Sequence, residues 1–401
     1  MISPYLIVPI ILACCYFVVQ SRIYGGGIER FEKCSFCVIF AIITLMLIFR
    51  YGQGSDYYGY RFNYFRTMIW KTPQEALLGE YDAENHGERL WLFLLWLMRE
   101  LRVPYEAFSA IIALISMLFL LRFINIYCRE ARLLALLCLY PVVILTYLFS
   151  SIREGLIISI FLGVLLGWIR EKKYIAFAIA VLLLSLIHSV SLVILFCIPA
   201  LYINRKLLEK LCVAGIVLGY IVCVFDILGK IGELGILPNA VLFYINEGTS
   251  PSIMAIWLRI ILGITMYAAF CDMGGNANED VYKFFLMGLT LYFALLSFPI
   301  IASRVYDVVR YVDIVLVVAW ITKKRGFMSV PVLLFCLLIA YKNIGSIVAE
   351  GKYNNIQVYK CPYLNLFDVE YAEQIAKDEF AERYVYNDSG ELIYVYGENM
   401  D

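Results

Sequence analysis

The sequence predicts an all-α polytopic integral membrane protein, and three observations support this fold class. Apolar residues make up 62% of the 401 residues and charged residues only 16%, whereas soluble domains contain roughly 45–50% and about 25% of these classes. The mean hydropathy is +0.79. Many apolar runs reach the roughly 17–25 residues that a helix needs to cross a bilayer.

The apolar runs place the candidate spans and one broken hairpin. The run at 174–203 is about as long as one and a half spans, and basic sequences flank both of its ends. The positive-inside rule places both ends in the cytoplasm, so we expect a re-entrant or broken hairpin with His188 near its outer turn. The other runs lie near residues 5–21, 34–50, 106–127, 133–149, 155–170, 208–228, 252–271, 282–302, 308–322 and 327–348.

Loop charges set the orientation of these spans. The apolar segment Leu90–Met98 is too short to cross, so we expect an interfacial or re-entrant helix, and about 12 crossings result. The 272–281 loop is an exception, because it is expected inside but has no Lys or Arg. Basic clusters at 22–33, 129–132, 170–173, 204–210 and 323–325 are expected in the cytoplasm, with the loops 50–105, 150–154, 229–251 and 303–307 outside.

This reasoning divides the chain into a transmembrane domain, residues 1–348, and an extramembrane acidic and aromatic tail, residues 349–401. The transmembrane domain includes an extracytoplasmic loop at 50–105. With 33 basic and 33 acidic residues, the chain has no charge excess that would indicate a nucleic-acid partner. Cys34 and Cys37 have CxxC spacing, but no second pair or nearby histidine supports a metal site.

Polar groups gather on the predicted outer face. A guanidinium group binds phosphate oxygens through two parallel hydrogen bonds, and a carboxylate can take the proton from an acceptor hydroxyl. Tyrosines can pack against sugar rings, so the set predicts a site for a sugar linked to a polyprenyl diphosphate. Its members are Arg50, Asp56, Arg61, Glu88, Arg153, Glu154, His188, Ser189, Arg304, Tyr306, Asp307 and Arg310.

Each of these groups also has a structural interpretation. An arginine at a span end commonly extends to the interface or pairs with a carboxylate. Tyrosines near a span end are typical of an aromatic belt, and a lone histidine between apolar segments is often a hydrogen-bonded structural residue. Only the predicted location of all these groups on one side of the membrane favours a functional site.

The order of the motifs resembles the EpsG-type family of polysaccharide polymerases, which is related in role to the Wzy O-antigen polymerases. Ser55 and Glu154 replace the usual threonine and glutamine, and Ser191 is displaced by one position. The matching elements, in order, are Arg50-Tyr-Gly-Gln-Gly-Ser-Asp56-Tyr57, Glu88 before Leu90–Met98, Ile152-Arg153-Glu154-Gly155, His188-Ser-Val-Ser191, Ser303-Arg304-Val-Tyr306 and Pro362-Tyr363.

The resemblance implies a glycosyltransferase-type enzyme that polymerises undecaprenyl-diphosphate-linked oligosaccharide repeat units on the extracytoplasmic face of a bacterial inner membrane. The product would be O-antigen, capsule or exopolysaccharide. The implied partners are the lipid-linked oligosaccharide, the lipid bilayer and a chain-length regulator protein. No metal, nucleotide sugar or other cofactor is implied, because the lipid diphosphate is itself the activated donor.

The resemblance also assigns roles to residues, with Asp56 as the first choice for the base. The predicted catalytic residues are Asp56, Glu88 and His188, the diphosphate ligands are Arg50, Arg153 and Arg304, and the sugar contacts are Tyr57, Tyr58 and Tyr306.

Two alternatives remain open at this point. A flippase or transporter of the same lipid-linked sugars should carry paired polar groups at mid-membrane and internal repeats, whereas the charges here gather at one edge. A polyprenyl-lipid-dependent glycosyltransferase or ligase would differ only in its acceptor.

Overall fold

The fold was analysed in a computed structural model, in which helices dominate the described residues. Two short strands near the C-terminus, Tyr384–Tyr386 (β1) and Leu392–Val395 (β2), pair in an antiparallel hairpin. The described residues are 2–21, 28–54, 56–67, 70–78, 88–225, 230, 253–275, 278–324, 329–350, 356–372, 384–386 and 392–395.

Most helices follow the predicted apolar runs, but the predicted spans 282–302 and 308–322 are each interrupted, at 295–298 and at 311–312. In chain order they are α1 (Pro4–Ser21), α2 (Ile28–Ile48), α3 (Tyr57–Arg66), α4 (Pro73–Leu78), α5 (Arg89–Glu100), α6 (Tyr105–Tyr127), α7 (Arg132–Leu139), α8 (Ile152–Ile160), α9 (Leu166–Arg170), α10 (Tyr174–Ser185), α11 (Cys197–Tyr202), α12 (Arg205–Val224), α13 (Ile253–Asp272), α14 (Glu279–Ala294), α15 (Pro299–Arg310), α16 (Asp313–Lys324) and α17 (Ser329–Glu350). A π-helix, Tyr140–Leu148, continues α7, and a second one, Phe161–Leu165, joins α8 to α9.

Seven helices among the described residues are long and apolar enough to cross a membrane. This number agrees with a polytopic helical membrane protein, while the count of about 12 crossings stays a prediction. The seven are Pro4–Ser21, Ile28–Ile48, Tyr105–Tyr127, Ile152–Arg170, Arg205–Val224, Ile253–Asp272 and Val330–Val348.

The chain folds into two compact units. The first unit comprises Met1–Val164, Leu183–Ser189 and Lys324–Asp401, and the second comprises Leu165–Leu182 and Val190–Lys323. In the first, α1 packs against α2, α7 and α17, and α6 packs against α2 and α8. In the second, α14 packs against α12 and α15. The predicted division at residue 349 stays a prediction.

The run at 174–203 forms the expected broken hairpin. After α10, a tight turn leads into a 3₁₀-helix, Ser189–Phe196, and then into α11. The rings of Tyr174 and Tyr202, at the two ends, lie 6.0 Å apart, so the two arms run side by side in opposite directions. His188 lies in the turn, as the sequence predicts.

The short apolar segment Leu90–Met98 lies within α5. A helix of 12 residues extends about 18 Å at 1.5 Å per residue, which is less than the roughly 30 Å of a hydrocarbon core. Trp91, Leu92, Leu95 and Trp96 on one face of α5 are buried in an aromatic cluster of the first unit. This helix is therefore too short to cross a bilayer by itself.

The 272–281 loop obtains its basic groups from neighbouring segments of the second unit. Arg205 donates to the carbonyl of Gly275 at 3.0 Å, and Arg170 lies 2.7 Å from Asp280. Lys323 donates to the carbonyl of Asp272 at 3.0 Å. Three basic clusters that the sequence places on one side therefore meet at this loop, which explains why the loop needs no Lys or Arg of its own.

Candidate active site

The loop after α2 is held against the segment that precedes α8. Gly54 has a φ of +98°, and a Cβ atom there would lie 2.5 Å from the carbonyl oxygen of Phe149 and 2.7 Å from the Cα of Ser150. Only glycine therefore permits both this conformation and this close approach. As a result, Asp56 reaches Ser151, whose hydroxyl donates to the Asp56 carboxylate at 2.6 Å.

The Pro362-Tyr363 element holds the other side of this loop. The backbone N–H of Tyr51 donates to the carbonyl of Leu364 at 3.1 Å, and the N–H of Leu366 donates to the carbonyl of Phe49 at 2.9 Å. The Tyr363 hydroxyl donates to the carbonyl of Met46 at 2.8 Å. The C-terminal segment therefore fixes the Arg50–Asp56 loop through backbone pairing.

His188 lies between two carboxylates in the first unit. Its Nδ1 is 2.8 Å from Glu88 Oε1, and its Nε2 is 2.9 Å from Glu154 Oε1. The side chains of His188 and Glu154 are each 8% exposed, and that of Glu88 is 22% exposed. A doubly protonated imidazole would donate to both carboxylates, so the arrangement favours the charged form of the ring.

Glu88 connects His188 to Arg153. The guanidinium of Arg153 forms an ion pair with Glu88, and its Nε donates to the Tyr60 hydroxyl at 3.3 Å. The same guanidinium lies 5.2 Å from the centre of the Tyr60 ring and 6.0 Å from that of Trp91. These contacts fix the orientation of Arg153 while its Nη2 has no hydrogen bond to the described residues.

Ser189 completes the polar environment of Glu88. Its backbone N–H donates to Glu88 Oε1 at 2.8 Å, and its hydroxyl donates to the same oxygen at 3.2 Å. Burial opposes the ionisation of Glu88, but the hydrogen bond from His188, the charge of Arg153 and the Ser189 N–H lower the pKa of Glu88 to about 2.

The pKa of His188 shifts in the opposite direction. Burial favours the neutral ring, but the hydrogen bonds to Glu154 and Glu88, together with the charges of those carboxylates, raise the pKa of His188 above its ordinary value of 6.5. The turn therefore places the imidazole beside a guanidinium, with Glu88 shared between them. We call Asp56, Glu88, Ser151, Arg153, Glu154 and His188 the carboxylate–histidine cluster.

Arg50, predicted as a diphosphate ligand, forms its hydrogen bonds to residues that are not part of this cluster. Its residue is 3% exposed, and its guanidinium donates to the carbonyl of Leu148 and to the Ser109 hydroxyl, the latter at 2.8 Å. These hydrogen bonds link Arg50 to the π-helix Tyr140–Leu148 and to α6 inside the first unit. In this structure it anchors the loop that carries Asp56.

Tyr57 is also not part of this cluster, and Arg304 and Tyr306 belong to the second unit. Tyr57 is 1% exposed and packs against the ring of Tyr105, whereas the side chain of Tyr58 is outside the described residues. Arg304 is exposed on α15 of the second unit, and Tyr306 on the same helix is fully buried. Neither buried tyrosine offers its ring face to a sugar in this conformation.

Sequence reasoning missed two members of the site. Ser151, which donates to Asp56, directly precedes the Ile152-Arg153 motif. Tyr60, whose hydroxyl also lies 3.3 Å from Asp56, follows Asp56 by four residues, the spacing that places two side chains on one helix face. That spacing is the signal that could have identified Tyr60.

A family model described as the EpsG family matches residues 33–361. The chain belongs to the EpsG family. The matched region contains every residue of the carboxylate–histidine cluster, as well as Arg50 and Arg304, so the resemblance to this family is confirmed, and Pro362-Tyr363 lies just beyond the matched residues. No curated protein and no solved structure matches this EpsG-family chain.

Proposed function

We propose that this EpsG-family protein joins undecaprenyl-diphosphate-linked repeat units into O-antigen, capsule or exopolysaccharide at the extracytoplasmic face of a bacterial inner membrane. Family membership indicates a polysaccharide polymerase in general. The carboxylate–histidine cluster is the observation that carries the specific proposal. In this cluster Glu88 contacts both His188 and Arg153. Asp56 accepts a hydrogen bond from Ser151, which precedes Arg153 by two residues.

The proposed reaction is one glycosyl transfer. A hydroxyl at the non-reducing end of a new lipid-linked repeat unit attacks C1 of the reducing-end sugar of the growing chain. A new C–O bond forms while the bond between C1 and the diphosphate oxygen breaks. The acceptor proton passes to a carboxylate, and undecaprenyl diphosphate leaves with the electron pair of the broken bond.

We assign the leaving diphosphate to Arg153 and His188. Both groups are positively charged, and hydrogen bonds fix both in place before a substrate arrives, so little reorganisation is needed as charge develops on the leaving group. Glu88 and Glu154 position the imidazole. Diphosphate oxygens would reach the Nη2 of Arg153, which has no hydrogen bond to the described residues.

Asp56 is the proposed base. It accepts hydrogen bonds from Ser151 and Tyr60, and these neutral groups leave its carboxylate able to accept a proton. Glu88, the second candidate, is the weaker base because its pKa is about 2. Its ion pair with Arg153 instead suits a positioning role.

Gene deletion and one substitution test this proposal. A strain that lacks the protein should display surface glycan capped with a single repeat unit and no polymer ladder on a gel. Arg153→Ala should give the same pattern, with polymer reduced by about 100-fold or more, the loss typical of removing one charge-stabilising donor. Lys71→Ala, an exposed basic residue of the same predicted outer loop, is the matched control.

The outcome also separates the alternatives. Loss of all surface glycan, including the single unit, would indicate a flippase or a ligase. A normal ladder in the deletion strain would exclude the polymerase, and full-length polymer from stably expressed Arg153→Ala would remove Arg153 from the site.

A further inference from the structure

We propose that a groove between α12 and α13 of the second unit binds an anionic phospholipid. The groove encloses about 830 Å³, which is within the roughly 300–1,000 Å³ of ordinary ligand sites. Its lining comes only from residues of these two helices. None of them belongs to the carboxylate–histidine cluster, so this inference does not depend on the proposed function.

Positive charge is concentrated at one end of the groove. Arg205, Lys206 and Lys210 line it within the first two turns of α12, and Glu209 is the single acidic residue in the lining. The N-terminus of a helix carries a partial positive charge, so cations there are unfavourable and an anion is favourable. Arg205 and Glu209 form an ion pair at 3.5 Å, which leaves two cations without a carboxylate, so a negatively charged group would complete the site.

Two of these cations are available to a ligand. The guanidinium of Arg205 is held by the carbonyl of Gly275 and by the ring of Phe270, 5.3 Å from its centre. Lys206 and Lys210 are exposed and form no ion pair with any residue that the structure describes. Their flexible ammonium groups suit a phosphodiester, which needs point charges and not a fixed geometry.

The rest of the groove is apolar. Val213, Val217 and Leu218 continue along α12 from the basic end, and all three are more than half exposed. A free phosphate would use only the lysines, whereas a molecule with a charged headgroup and hydrocarbon chains would cover both parts. This combination of charge and apolar surface identifies the occupant as a phospholipid.

The predicted location of the groove agrees with this occupant. The cluster 204–210 is basic and is expected at the cytoplasmic surface. Basic pockets between transmembrane helices on that side are known to bind anionic headgroups. We therefore expect a phosphatidylglycerol-type lipid of the inner leaflet.

Native mass spectrometry of the full chain, released from phosphatidylcholine nanodiscs with graded phosphatidylglycerol, tests the site. The double variant Lys206→Gln/Lys210→Gln should bind phosphatidylglycerol about thirtyfold more weakly, since each lysine near an anionic lipid contributes roughly fivefold. Lys172→Gln/Lys173→Gln is the matched control, because both lysines are exposed basic residues of the second unit outside the groove lining.

Cys271 provides a second measurement, because it lines the groove and is exposed. Phosphatidylglycerol should slow the alkylation of Cys271 at least about threefold relative to phosphatidylcholine, and the lysine double variant should lose this protection. The proposal fails if the control variant weakens binding equally, if both lipids bind alike, or if inorganic phosphate alone protects Cys271.

Discussion

The two units of the molecule satisfy their buried charges in different ways. In the first unit, His188 bonds two carboxylates at 2.8 and 2.9 Å. In the second, Arg310 lies 3.8 Å from Asp307 and 3.9 Å from Asp313, distances too long for hydrogen bonds. The first arrangement is directional, whereas the second is a set of loose ion pairs.

Aromatic rings surround the guanidinium groups of this part of the second unit, where Arg259 also donates to the carbonyl of Ala255 at 3.2 Å and to the Ser303 hydroxyl at 3.3 Å. The guanidinium of Arg259 lies 4.1 Å from the centre of the Tyr292 ring and 5.4 Å from that of Tyr306, and that of Arg310 lies 5.5 Å from Tyr306. The buried Tyr306 hydroxyl has no hydrogen-bond partner among the described residues. Arg153 of the first unit also lies over aromatic rings, so the two units share cation–π contacts and differ in the short carboxylate contacts that His188 makes.

The largest expected effect is at His188. His188→Asn keeps one polar side chain but removes the positive charge that joins Glu88 to Glu154, so polymer formation should fall by roughly 100-fold or more. The polymer ladder made by the variant, reconstituted with lipid-linked repeat units, measures this loss.

Thermal unfolding and gel filtration of the same variant provide the control. A folded, monodisperse His188→Asn protein without polymer would support a direct role in the reaction. Near-normal polymer formation by His188→Asn would contradict that role, because it would show that the reaction does not need the imidazole of the carboxylate–histidine cluster.

The effect of intermediate size is the dependence of folding stability on pH through the titration of His188. Because its folded pKa is raised, His188 contributes stability in full below about pH 6.5 and loses it as the pH rises through the folded pKa. Glu88, with a pKa near 2, contributes fully above about pH 4.5 and loses this as the pH falls. Both contributions are therefore complete between about pH 4.5 and 6.5.

NMR of ¹⁵N-labelled histidine measures this titration. The chain has only two histidines, so the substitution His86→Gln leaves His188 as the only labelled residue. The midpoint should lie above 6.5 and should fall in Glu154→Gln, which removes one carboxylate from the imidazole. A midpoint at or below 6.5 before the Glu154 substitution would contradict the charged imidazole.

The smallest effect is expected at Tyr306 in the second unit. Tyr306→Phe removes a buried hydroxyl that has no hydrogen bond to the described residues, so the free energy of unfolding should change by less than about 1 kcal/mol. Polymer formation should stay within about threefold of the unsubstituted protein. A tenfold or greater loss in a stably folded variant would instead restore Tyr306 as the sugar contact that its motif predicts.

The sequence predicted the fold class and the residues that meet in the carboxylate–histidine cluster more accurately than it predicted the role of each residue. Apolar runs placed the long helices, and basic flanks identified the broken hairpin with His188 at its turn. Motif order placed Asp56, Glu88, Arg153 and His188 in one site, and the structure brings these four together. Arg50 belongs to the same motif but is buried in packing contacts, because hydropathy and spacing do not reveal which way a guanidinium turns.

Composition and the length of the apolar runs by themselves predicted a polytopic helical membrane protein, since each crossing helix must be apolar over its own length whatever its neighbours are. Motif order by itself determined the family. Only the tertiary structure decided that Glu88 holds His188 and Arg153 while Ser151 holds Asp56, because these pairs depend on how helices far apart in the chain approach one another. The hydrogen-bond partners of each carboxylate were therefore decided by packing, which a linear pattern does not contain.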